Sequence, residues 1–226
     1  MLNNFTFNDI CSDDFGIIVN SLPPITKPKK KIETVEIDGL NGDITIDNGY
    51  AAYDKEVQVT FLTKPDVDEL NNWLTGKGRL VLSNEPDKYY DAEIFSEVEL
   101  TRMKTLYTAT ITFHVQPYKH LVDETIFIGG DCITVANQGF DESLPVIKIT
   151  GSGEVEVKID EVSICKVNID DGFIVLDSEK QEAYKGATLK NRQMSGEFVK
   201  LPKGYTTIST TGTVTSIRVE PRSRWI

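Results

Sequence analysis

Histidine occurs twice and cysteine three times in a chain of 226 residues. That scarcity removes most of the side chains that bind transition metals or exchange protons near neutral pH. His114 and His120 flank Pro117, with no cysteine or HExxH pattern beside them. Cys11, Cys132 and Cys165 form neither a CxxC pair nor an even-numbered framework, so packing thiols in a reducing compartment are expected, without disulfides. No apolar run approaches the roughly 20 residues of a membrane span. Met1-Leu2-Asn3-Asn4 lacks the charged-then-apolar order of a secretory signal, so synthesis and residence in a cytoplasm are expected. Nucleotide and calcium signatures are missing too. Gly151-Ser152-Gly153 starts like a dinucleotide fingerprint, but Glu156 takes the place of its last glycine, and strand-forming residues flank it. No P-loop lysine pattern occurs. Around Asp170-Asp171-Gly172, Val167 and Ile169 fill positions where a calcium loop needs oxygen ligands, so a β-turn is expected there.

Basic charge is also in deficit. Lys and Arg number 24 against 35 Asp and Glu, a net charge of −11, which opposes a phosphate-binding surface. The run Lys27–Lys31, broken by Pro28 and preceded by Pro23-Pro24, reads as a solvated connector. Carboxylates abound, but no aromatic-lined cleft is indicated around any pair of them. No enzyme, metal or cofactor is expected.

What is present is strand signal. At 39% hydrophobic residues the chain can bury a sizeable core, and its length suits two modest domains. Alternating or β-branched runs span 2–7, 15–19, 32–37, 57–62, 80–82 and 105–115. Asn41-Gly42 is the dipeptide of tight hairpin turns and predicts an extended, partly exposed hairpin reaching Tyr50 and Tyr53. One segment differs. Pro65 to Gly76 has helix chemistry at both ends: a proline and three carboxylates at the start and a glycine stop. Val67, Leu70, Trp73 and Leu74 fall on its apolar face, with Trp73 as the anchor on a sheet. Turn chemistry at 83–87 precedes a further alternation through Ala92, Ile94 and Phe95.

Gln116-Pro117-Tyr118 ends the longest strand-like run and opens a polar stretch to Glu124, which places a domain boundary at 120/121. Beyond it, short runs recur at 126–128, 133–135, 146–149, 155–159, 162–167, 173–176, 206–209 and 214–219, the pattern of an antiparallel sandwich. The fold class expected is therefore mainly β, with one helix in the first domain.

Taken in order, these residues resemble the distal tail protein family of siphophages. The likeness begins at Phe5-Thr6-Phe7-Asn8 and Asp14-Phe15-Gly16-Ile17, then continues through Glu36-Ile37-Asp38-Gly39-Leu40-Asn41-Gly42-Asp43 and Gly49-Tyr50. It runs on through Trp73-Leu74-Thr75-Gly76-Lys77-Gly78-Arg79-Leu80, Pro86-Asp87-Lys88-Tyr89-Tyr90-Asp91-Ala92 and Gln116-Pro117-Tyr118. The second half is similar more weakly, through Asn137-Gln138-Gly139, the stretch 143–149, Gly151-Ser152-Gly153-Glu154-Val155, Gly196-Glu197-Phe198, Leu201 and Gly204. Tyr205-Thr206 stands where many relatives carry Asn.

The resemblance implies residues 1–120 as a ring-forming tail hub domain, assembling as a hexamer around a channel that passes DNA without specific binding. It implies residues 121–226 as a galectin-like β-sandwich that projects outward and can hold a receptor-binding protein. The implied neighbours are the tail-tube protein above and the tail-associated hub or lysin protein below. The implied location is the baseplate of the virion tail, after assembly in the bacterial host cytoplasm. A second reading, a carbohydrate-binding module in host adsorption, needs exposed aromatics. Phe127, Phe140, Phe173, Phe198, Tyr184 and Tyr205 mostly fall within apolar alternation, which leaves Trp225 as the candidate sugar platform.

Overall fold

The computed structural model describes residues 3–39, 41–170 and 172–226. Leu2 of the first expected strand, Leu40 of the hairpin motif and Asp171 of the expected turn lie outside the described residues. The chain separates into two compact units, the first ending at Val122 and the second covering Asp123–Trp225.

In the first unit the strands are β1 (Phe5–Phe7), β2 (Ile10–Cys11), β3 (Ile17–Ser21), β4 (Lys30–Glu36), β5 (Asp43–Tyr50), β6 (Tyr53–Phe61), β7 (Gly76–Leu82), β8 (Lys88–Ile94), β9 (Thr101–Met103) and β10 (Leu106–Leu121), with helix α1 at Val67–Trp73. An antiparallel sheet runs β2-β1-β7-β8-β10-β6-β3, with β9 also on β10. Its strands alternate as the sequence predicts: Val57, Val59 and Phe61 of β6 and Ile111, Phe113 and Val115 of the neighbouring β10 all point into one core.

Helix α1 closes that core. Asp66 caps it by accepting from the backbone N–H groups of Asp68 and Glu69 at 3.0 and 3.2 Å. The Trp73 indole lies stacked between Phe5 and Phe15, with ring centroids 5.6 and 4.4 Å away. Its Nε1 donates to the Phe7 carbonyl at 2.9 Å. Leu70 and Leu74 are buried beside it, but Val67 is 39% exposed, contrary to its expected place on the apolar face. Val67 is the first helical residue, a full turn from the sheet contact made by Leu70 and Trp73. Gly76 does not stop the helix, which is capped at Leu74; it opens β7 with φ +77°.

Pro117 does not end its strand either. β10 continues to Leu121 because the pairing with β6 stops at Val115, and the register with β8 slips between Val115 and Lys119. A proline inside such a bulge removes no ladder bond. Phe15, expected in a strand, lies in a short 3-10 turn over Ser12–Phe15, from which its ring reaches Trp73.

The second unit contains β11 (Phe127–Gly129), β12 (Cys132–Asn137), β13 (Val146–Ile159), β14 (Val162–Ile169), β15 (Phe173–Asp177), β16 (Glu182–Lys185), β17 (Thr188–Leu189), β18 (Met194–Gly196) and β19 (Gly204–Glu220), with a final short strand at Arg224–Trp225. Runs read from the sequence as separate strands are here joined. Residues 146–149 and 155–159 belong to β13, and 206–209 and 214–219 to β19. β13 and β19 pair along both halves and break register together near Gly151 and Gly212. A Cβ on Gly151 would lie 2.2 Å from the Thr213 carbonyl oxygen, and one on Gly212, at φ +118°, 2.5 Å from that of Glu154. Glycine therefore permits the bend, and the two leaves close on one core holding Ile147, Ile149, Val155, Val157, Ile208 and Ile217. Arg222 fixes the C-terminal segment to Asp177 through paired bonds of 2.9 and 3.3 Å.

Trp73→Ala removes a buried aromatic and its hydrogen bond, and is expected to cost about 3–5 kcal/mol. Urea unfolding of the first unit measures this; a shift under about 1 kcal/mol would show that the Phe5–Trp73–Phe15 stack is dispensable.

Candidate assembly surface

β4 and β5 form a two-stranded sheet that pairs with no other strand among the described residues, and every described residue from Lys30 to Gly49 is exposed. The hairpin is as extended as the sequence predicts, but Asn41-Gly42 is not a two-residue turn. Glu36 pairs with Asp43, so the connection covers 37–42, with positive φ at Gly39 and Gly42 and not at Asn41. Tyr53 is not on the ribbon; it begins β6 in the main sheet, opposite Val115. Tyr50 is the ribbon's last residue, and its ring meets that of Tyr118 edge-on at 6.0 Å.

Register gives the ribbon two unlike faces. Val35 lies opposite Ile44, and Glu33 opposite Ile46, so three branched apolar side chains cluster on one side. They are 37%, 44% and 44% exposed for Val35, Ile44 and Ile46. The other side carries the pairs Ile32–Asp47, Thr34–Thr45 and Glu36–Asp43. Lys30 and Asp47 form an ion pair at the base. The hydrogen bond from Lys30 holds Asp47 below the usual carboxylate range.

The connector from β3 into this ribbon is clamped by buried charge. Lys55 is 2% exposed, and its Nζ donates to the Pro24 carbonyl at 3.1 Å. That ammonium also sits 4.7 Å from the ring centroid of Tyr90 and 5.5 Å from that of Tyr53. Asn84 Nδ2 donates to the Pro23 carbonyl at 3.2 Å. Glu85 anchors the cluster: it accepts from Lys119 Nζ at 2.9 Å and from the Tyr90 hydroxyl. Burial drives the Lys55 ammonium down, partly offset by Glu85. Burial also pushes the Tyr53 phenol up, and that of Tyr90 further, where Glu85 adds to the effect. Burial opposes the charge on Glu85, yet hydrogen bonds from Tyr90 and Lys119 outweigh it and hold the carboxyl below its ordinary value.

Sequence reading missed this cluster. Lys55 alone left a signal, since alternation with Val57, Val59 and Phe61 points it inward. Among the described residues no group of three His, Cys, Asp or Glu side chains could hold a metal, and no helix is long and apolar enough to cross a membrane. In the second unit Trp225 is half-buried, whereas Tyr205 and Phe140, assigned to apolar alternation, are 83% and 68% exposed. Both follow a departure from regular strand: Tyr205 comes after Gly204 at φ +100°, and Phe140 after Gly139, whose Cβ would strike Arg224 backbone.

Glu85→Gln is expected to cost about 3–5 kcal/mol at neutral pH, because the buried Lys119 ammonium loses its counter-charge. Because the folded carboxyl titrates below its unfolded value of about 4.3, the stabilisation is complete above that pH and fades as pH falls through the folded value. Unfolding of wild type and variant across that range should show the gap narrowing; a constant gap would mean that shape alone is lost.

Residues 8–115 match the family model of the phage tail protein RIFT-related domain. No curated protein matches the chain in sequence. Among solved structures, the Dit protein of phage SPP1, called a paradigm of the hub adsorption apparatus in phages infecting Gram-positive bacteria, superposes with a TM-score of 0.75 at 15% identity. That match covers 97% of this chain and 99% of the other. The phage p2 baseplate in its activated conformation gives TM-scores of 0.52 with strontium and 0.51 with calcium, each at 10% identity over 97% of this chain and 98% of the other. Residues 8–115 are thus similar to the phage tail RIFT-related domain, and the whole chain shares the fold of the SPP1 Dit protein.

Proposed function

We propose that this chain is a structural component of the virion tail baseplate whose first unit closes into a hexameric ring at the tail tip. The ring joins the tail-tube protein to the tail-associated hub or lysin protein and leaves a channel for DNA. Its mechanism is geometric: repeated heterologous contacts close around an axis, and no residue reacts. The observation that carries this reading is the ribbon. An isolated two-stranded sheet is marginal in water, and this one shows an apolar face to solvent while its root is pinned by buried charge. Such a feature fits a partner surface.

The second unit is read as the galectin-like peripheral domain that can hold a receptor-binding protein. A carbohydrate-binding role is favoured by one observation, the outward ring of Tyr205. Glycan-array binding that is lost in Tyr205→Ala would select that role for the second unit.

Light scattering on separately expressed 1–122 and 123–226 tests the ring assignment: the first is expected to be oligomeric and the second monomeric, and the reverse would overturn it. In the full chain, replacing 31–49 by a short Gly-Ser linker is expected to keep the melting profile and abolish the ring. A ring that survives the replacement would remove the ribbon from the interface.

A further inference from the structure

The densest basic run in this acidic chain, Lys27–Lys31, lies at the root of the ribbon. Lys30 is engaged by Asp47, whereas Lys27, Lys29 and Lys31 have no ion pair among the described residues. Copies of a chain with net charge −11 repel one another, so an interface between them gains most where unlike charges meet.

The first unit offers a surface of matching character. Ile18 pairs with Thr60, and Thr60 with Thr108, so Ile18, Asn20, Gln58, Thr60, Thr108 and Thr110 share the outward face of β3, β6 and β10. Ile18 and Leu62 are exposed at one end of that face. Val98 and Leu100 pack on the core, which turns the alternate residues Glu97 and Glu99 outward. Both carboxylates border a shallow groove of about 480 Å³ over this face, and neither has a hydrogen-bond or ion partner among the described residues. Apolar and acidic groups therefore occur together on the face, as apolar and basic groups do on the ribbon.

We infer that the ribbon of one copy docks on the β3-β6-β10 face of the next, with Val35, Ile44 and Ile46 toward Ile18 and Leu62, and Lys27, Lys29 and Lys31 toward Glu97 and Glu99. This landing site rests on the ring reading above. Assembly of the full chain, followed by native mass spectrometry and light scattering at physiological ionic strength, tests it. Glu97→Lys with Glu99→Lys, and separately Lys29→Glu with Lys31→Glu, are each expected to raise the concentration for half-assembly at least about tenfold, with unchanged melting. All four substitutions in one chain should restore assembly. If the glutamate variant assembles as wild type does, the landing site is wrong while the ring stands. Loss in both pairs without recovery in the combination would overturn the charge pairing. A wild-type chain that stays monomeric would sink the ring reading, and this inference with it.

Discussion

Two ammonium groups and one carboxylate share the interior of the first unit, and the geometry at the ribbon's root follows from how they are satisfied. A charge removed from water must be paired or hydrogen-bonded. Glu85 serves Lys119 directly, which leaves Lys55 with the carbonyl of Pro24 and two aromatic rings. The connector cannot lift away without leaving a buried ammonium alone. Prolines suit the position: they bring no N–H of their own to satisfy, and they stiffen the segment that leads into β4. The ribbon is thus exposed along its length and fixed at its base, a combination that orients it before any partner arrives.

Much of this was legible because strands and helices repeat with fixed periods. The alternation of β6 and β10, the presence of one helix and the inward place of Trp73 on it follow from local pattern. The departures share a cause, which is that distant pairing decides where local signals end. Pro117 reads as a stop until the bulge against β8 shows that its missing donor is not needed there. Asn41-Gly42 reads as a turn until the register of Glu36 with Asp43 places it inside a longer loop. Glu85 sits in a polar turn, and its partner Lys119 lies 34 residues away beyond an irregular stretch, so neither carries a local mark of burial.

The second unit repeats the lesson with glycine. Gly151 and Gly212 look like loop punctuation, and the runs on either side look like four short strands. In space they are the bends of two continuous strands, required because the carbonyls of Thr213 and Glu154 approach too closely for a side chain. The SPP1 protein has this fold at 15% identity, so most of the particular residues can differ between chains that fold alike.

The continuity of β13 and β19 through both leaves has a mechanical consequence. In a sandwich whose leaves share no strand, a tensile load between leaves is resisted by side-chain packing and by the slack loops that connect them. Here the load path runs along covalent backbone that crosses the bend twice. Because β13 and β19 pair with each other on both sides of the bend, opening the leaves would hinge both strands at the glycines without unpairing that ladder. A domain with that connectivity can lose the packing between its leaves while its halves stay tethered by two paired strands and able to re-form.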